Sequence, residues 1–135
     1  MTRLGIFGAV TRLASVLAVS IVLAGATPDP SLAHEDRVAR RGDCSGPSEW
    51  KLVVRKEDAG TLRVRLEVEG GRSGQKWHVF LSDNGTGFFA GSRISGSNGH
   101  FEVSRDTANR AGSDTIRAGA SNTVTGETCN GKATL

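Results

Sequence analysis

Nine residues in the middle of the chain alternate without a break. In Thr61-Leu62-Arg63-Val64-Arg65-Leu66-Glu67-Val68-Glu69 every second side chain is aliphatic and the others are polar or charged. A strand points successive side chains to opposite faces, so this segment has one dry face and one wet face. Wound into a helix, the same aliphatic residues would scatter around the axis and bury nothing together. The alternation dictates a half-buried antiparallel strand. It also demands a second layer to cover the apolar side of the sheet.

The flanking segments follow the same rule. A strand over roughly Glu49–Lys56 turns Trp50, Leu52 and Val54 inward, and Glu57-Asp58-Ala59-Gly60 joins it to the alternating segment as a hairpin. Gly70-Gly71-Arg72-Ser73-Gly74 breaks the pattern. Gln75–Ser82 follows, with Trp77, Val79 and Leu81 inward. Asp83-Asn84-Gly85-Thr86-Gly87 is a turn, because Asn and Gly accept positive φ at low cost. Further strands are expected over Phe88–Ile94, over His100–Arg105 with Phe101 and Val103 inward, and over Asp114–Ala120 with Ile116, Ala118 and Ala120 on one face. Asp106–Gly112 reads as a longer loop, and Glu127–Leu135 as the last strand. The pattern predicts an all-β chain: a seven-stranded antiparallel sandwich of immunoglobulin-like or fibronectin-III-like type. The chain has no Tyr, so the tyrosine corner of many such sandwiches is missing.

Ahead of the strands, Leu13–Ala26 is apolar, and Arg3 and Arg12 are the only charges before Asp29. This is the h-region of a signal peptide and is short for a bilayer-spanning helix. Cleavage after Ala26 or after Ala33 satisfies the small-x-small rule. Residues 1–33 are thus read as signal peptide and cleavage region, 34–47 as a flexible N-terminal segment, and 48–135 as the sandwich domain. No integral membrane span is expected after signal removal. Cys44 and Cys129 are the only cysteines. An even count behind an export signal predicts a disulfide in a secreted, extracytoplasmic protein. That bridge would pin the N-terminal segment to the final strand.

The formal net charge of +3 is spread through the strands. Arg37, Arg40 and Arg41 form one small cluster, which reads as a solvated tail. No nucleic-acid partner is expected from so mild a bias. Gly-x-Ser-x-Gly and His-Glu-x-x-His are absent, so neither a serine nucleophile elbow nor a zincin site is legible. Gly85–Ala90 matches a loose dinucleotide fingerprint, but no helix follows to receive the phosphate. Cofactors are expected to be none. Of the three histidines, His78 falls on an outward strand position and His100 at a turn exit, and both read as surface residues. Cleavage after Ala33 would make His34 the N-terminal residue. Its α-amine and imidazole together chelate copper, with His78 or His100 as a further ligand, so an extracytoplasmic copper-binding protein is the alternative reading. Phe80 and Phe88 read as outward residues flanking the Asp83–Gly87 turn. With Asn84 they form a candidate binding patch for a protein or a glycan. The leading expectation is a non-enzymatic exported module that binds a protein or a cell-envelope polymer.

Six short motifs recur along the mature chain: Cys44-Ser45-Gly46, Trp50-Lys51-Leu52, Gly74-Gln75-Lys76-Trp77, Asn84-Gly85-Thr86, Ala111-Gly112-Ser113-Asp114 and Thr125-Gly126-Glu127-Thr128-Cys129. In this order and spacing they resemble a family of small secreted actinobacterial proteins of uncharacterised function. The resemblance runs from Cys44 to Leu135. It implies export, the disulfide and a β-sandwich, and it brings no functional residue with it.

Overall fold

The computed structural model describes residues 36–135, so residues 1–33 and His34 lie outside the described residues. Eight strands follow one another: β1 (Arg37–Asp43), β2 (Glu49–Asp58), β3 (Thr61–Glu69), β4 (Lys76–Asp83), β5 (Thr86–Ile94), β6 (Phe101–Ala108), β7 (Thr115–Asn122) and β8 (Thr128–Thr134). They form two antiparallel four-stranded sheets. Sheet I has the order β1-β2-β3-β6 and sheet II the order β5-β4-β7-β8. One 3-10 turn, Ser97–Gly99, is the only helical element among the described residues.

The alternating segment is β3, and its aliphatic face is the floor of the core. Leu62, Val64, Leu66 and Val68 are fully buried, joined by Leu52 and Val54 from β2 and Phe101 and Val103 from β6. Sheet II covers them with Trp77, Val79, Leu81, Ile116, Ala118 and Ala120. Trp77 of sheet II meets Phe101 of sheet I with ring centroids 5.3 Å apart and planes tilted by 43°. Tilted contact suits two aromatic quadrupoles. At the opposite edge, half-buried Trp50 fills the space between the sheets. Its ring lies so close to Gly42 of β1 and Gly131 of β8 that a methyl group there would approach it to 2.7 and 2.9 Å. Only glycine leaves room for the indole on both sides.

The strand count corrects the seven expected from the sequence. The extra strand is β1, within the segment 34–47 read as flexible, and Arg37, Arg40 and Arg41 belong to it and not to a tail. It pairs with β2 in the register Val38↔Val54, Arg40↔Leu52 and Gly42↔Trp50. Val38 is its one fully buried residue. An edge strand is held through backbone hydrogen bonds and needs little apolar surface, so β1 carries no alternation to read.

The two sheets share no ladder, and their β1–β8 edge is fastened covalently. Cys44, just after β1, bonds Cys129 of β8 across a separation of 85 residues. Around it the loop is stitched to β8: Ser45 N–H donates to Thr128 O at 2.8 Å, and Thr128 N–H donates to Ser45 Oγ at 2.8 Å. Glu127 completes the clamp. Its Oε1 accepts from Ser48 N–H at 2.7 Å and its Oε2 from the Ser48 hydroxyl at 3.2 Å, with both residues buried. Among the described residues no helix is long and apolar enough to cross a membrane.

Two outcomes follow. Closing a loop of this length limits the unfolded chain by about 4–5 kcal/mol. Reduced and alkylated protein should therefore melt at least about 10 °C lower than the oxidised form, read by circular dichroism. Glu127→Ala strands the buried Ser48 N–H and should cost about 1–3 kcal/mol in a urea titration.

Candidate functional site

The sandwich has two outer faces, and they differ in chemistry. On sheet I the charges answer one another. Arg63 donates from Nε to Asp106 Oδ1 at 2.8 Å and from a terminal nitrogen to Oδ2 at 3.1 Å, across the β3–β6 pair. These hydrogen bonds hold the Asp106 carboxyl below its ordinary range. Arg65 pairs with Glu67 at 2.9 Å, and Arg55 pairs with Glu57. A face neutralised in this way leaves little charge to offer a partner.

The outer face of sheet II is arranged differently. Two central rows free of Asp, Glu, Lys and Arg are set by strand register, and the row beside them holds the exposed cations Arg117 and Lys132. One row runs Ala90–Phe80–Gly119–Asn130, and the next runs Ser92–His78–Ser121–Thr128. None of the four flanking strand positions beside Phe80 and His78 is large, so both rings stand clear. The rows line a shallow open trough of 440 Å³. No Asp, Glu, Lys or Arg lines it. Phe80 is 51% exposed. One edge of its ring, Cε2–Cζ, abuts Gly87 of the hairpin, where a methyl group would meet those carbons at 3.0 and 3.1 Å. His78 is oriented by Ser92, with Nδ1 and Oγ 3.0 Å apart.

Of the residues singled out in the sequence, Phe80 is where it was expected. Asn84 and Phe88 are not part of the face. Asn84 and Gly85 have positive φ, 47° and 84°, the mark of a type I′ hairpin turn. The Asn84 side chain is engaged: its amide donates to Ser113 O at 3.2 Å, and its oxygen accepts from Thr115 N–H at 2.9 Å. Phe88 is turned inward against the core. The cause is a bulge. Leu81 pairs with Phe89 and Ser82 with Gly87, so Phe88 is an extra residue that breaks the alternation of β5. The expected loop Asp106–Gly112 also shortens, since β6 continues to Ala108.

The histidines are not gathered. His78 lies on the outer face of sheet II, and His100 is exposed just ahead of β6 in sheet I. Among the described residues no cluster of three or more His, Cys, Asp or Glu side chains is placed to hold a metal. The face residues that the sequence reading missed are Ala90, Gly119, Ser121 and Asn130. Their signal was present as small or uncharged residues at outward positions of β5, β7 and β8, next to an outward Phe.

No protein-family model matches the chain, and no curated protein matches it. Among solved structures, the chain is similar to the crystal structure of a Br derivative of BhCBM56. The TM-score is 0.35 with 15% identity, covering 70% of this chain and 98% of that chain. A likeness of that size bears on neither the sandwich type nor a ligand.

The two phenylalanines give a direct check. Phe88→Ala should cost about 2–3 kcal/mol of stability, less than for a fully buried ring. Phe80→Ala should change stability by no more than about 0.5 kcal/mol. Equal losses in paired denaturant titrations would place Phe80 in the core and remove it from the face.

Proposed function

We propose that the protein is an exported, non-enzymatic binding module that holds an uncharged cell-envelope polymer on the outer face of sheet II. The observation that carries this is the half-exposed Phe80 ring, braced along one edge by Gly87 in a trough lined by no Asp, Glu, Lys or Arg. A ring so placed is a platform for the C–H face of a sugar or a similar flat, partly apolar unit. Around it His78, Ser92, Ser121, Thr128 and Asn130 supply hydrogen-bond donors and acceptors that suit hydroxyl groups. A stiff sheet also holds such groups in place before the ligand arrives, which lowers the ordering cost of binding.

Export is supported by the apolar segment Leu13–Ala26 and by the Cys44–Cys129 disulfide, a bond that persists in oxidising compartments. The sandwich type proposed is fibronectin-III-like. Counting β2 to β8 as seven strands, the first, second and fifth face the fourth, third, sixth and seventh, with β1 added at the edge.

Co-sedimentation with isolated cell wall and with insoluble neutral polysaccharides tests the reading. Wild-type protein should pellet, and should still pellet in high salt, because no ion pair holds it. Phe80→Ala should weaken retention about tenfold, the equivalent of about 1.4 kcal/mol. Retention that vanishes in salt, or that ignores the loss of Phe80, would move the binding surface elsewhere.

A further inference from the structure

A second feature lies beneath the hairpin and plays no part in the binding face. Asp83 closes β4, and Asp114 immediately precedes β7. Both are buried, each with 2% of its surface exposed. Neither oxygen of Asp83 has a hydrogen-bond partner, nor has Oδ1 of Asp114. Buried carboxyl oxygens left this way are costly, and two negative charges side by side are costlier still. Something must stand between them.

The surrounding geometry narrows the choice. The side chain and N–H of Asn84 and the N–H of Thr115 are already engaged with one another and with Ser113 O. The backbone of Asp114 is occupied with Leu135 in both directions, at 3.0 Å each. A calcium ion takes six to eight oxygen ligands. Here three oxygens are free, and the side-chain oxygen of Asn84 is taken by Thr115 N–H. A proton needs only two of those oxygens.

We propose that Asp83 and Asp114 share one proton, and that the resulting O–H···O bond is a pH-sensitive latch holding the β4–β5 hairpin to the segment before β7. Burial pushes the Asp83 carboxyl above its ordinary value of 3.8, and the charge of Asp114 pushes the same way. Arg110, in the β6–β7 loop, is the cation that faces the pair and opposes the rise. Its charge lets one carboxylate remain ionised beside one neutral acid. The sign follows from linkage. The folded pair holds a proton that the unfolded chain releases near pH 3.8, so stability is fully present below that value. It is lost as pH rises through the folded midpoint, where the second carboxyl ionises. Asp106, held low by Arg63 on the other sheet, contributes in the opposite direction and is cancelled by comparing variants at each pH. The latch is independent of the polymer reading, because its readout needs no ligand.

Thermal melts of wild type, Asp83→Asn and Asp114→Asn, from about pH 3 to about pH 8 with chelator present, test it. Asn replaces the shared proton with a permanent amide donor. Each variant should melt several degrees above wild type at neutral pH, and the gap should close as pH falls to 3.8. A gap of constant size across that range would overturn the proposal. So would a wild-type melt raised by calcium chloride at neutral pH, which would put a cation where the proton is placed. Should the variants fail to fold, a carboxyl-carbon NMR titration of wild type decides. One carboxyl of the pair titrating well above 3.8 supports the latch, and both titrating at or below it defeat it.

Discussion

Two sheets that share no β-ladder are held together mainly by side chains, and in this molecule that contact is asymmetric. Along the β5–β6 side the join is aromatic and cationic. Arg93 and Arg105 both lie over the Phe89 ring, with guanidinium carbons 5.5 and 4.5 Å from its centre, a favourable placement over a π face. Along the β1–β8 side the join is covalent, through Cys44 and Cys129, with Trp50 wedged behind it. Everything else in the fold presupposes that these two margins stay shut. The Trp77–Phe101 contact sits between them, and the outer face of sheet II stays flat only while sheet I supports it from beneath.

The sequence carried the interior better than the margins. Where burial recurs every second residue, as in β3, β4 and β7, the pattern named the inward side chains correctly, down to Trp77, Val79 and Leu81. It failed wherever something other than burial decides the conformation. The strand β1 exists because β2 offers it a ladder of backbone groups, and only Val38 records that in its side chain. Phe88 points inward because one bulge residue shifts the alternation, and a single extra residue leaves no mark in composition. Asp83 and Asp114 looked like ordinary turn and strand-end residues, since nothing local to either announces that the other lies beside it.

The candidate site was legible in part for the same reason. Phe80 obeys the alternation of a well-marked strand, so its outward direction could be read. The flatness around it could not, because it depends on which strands neighbour β4. Ala90 and Gly119 become the neighbours of Phe80 only once β5 and β7 are known to flank β4. The contrast between faces is likewise a property of register. Arg63 of β3 is neutralised because β6 brings Asp106 opposite it and not one position away.

The two tryptophans have a practical use that follows from where they sit. Trp77 is sealed in the centre, while Trp50 is half-buried at the disulfide-bearing margin, and there is no tyrosine to confuse their emission. Fluorescence from this chain therefore carries two separable voices, one from the heart of the sandwich and one from its seam. A margin that loosens before the centre melts would redden and quench the Trp50 component first. The protein thus reports the order of its own disassembly without any label.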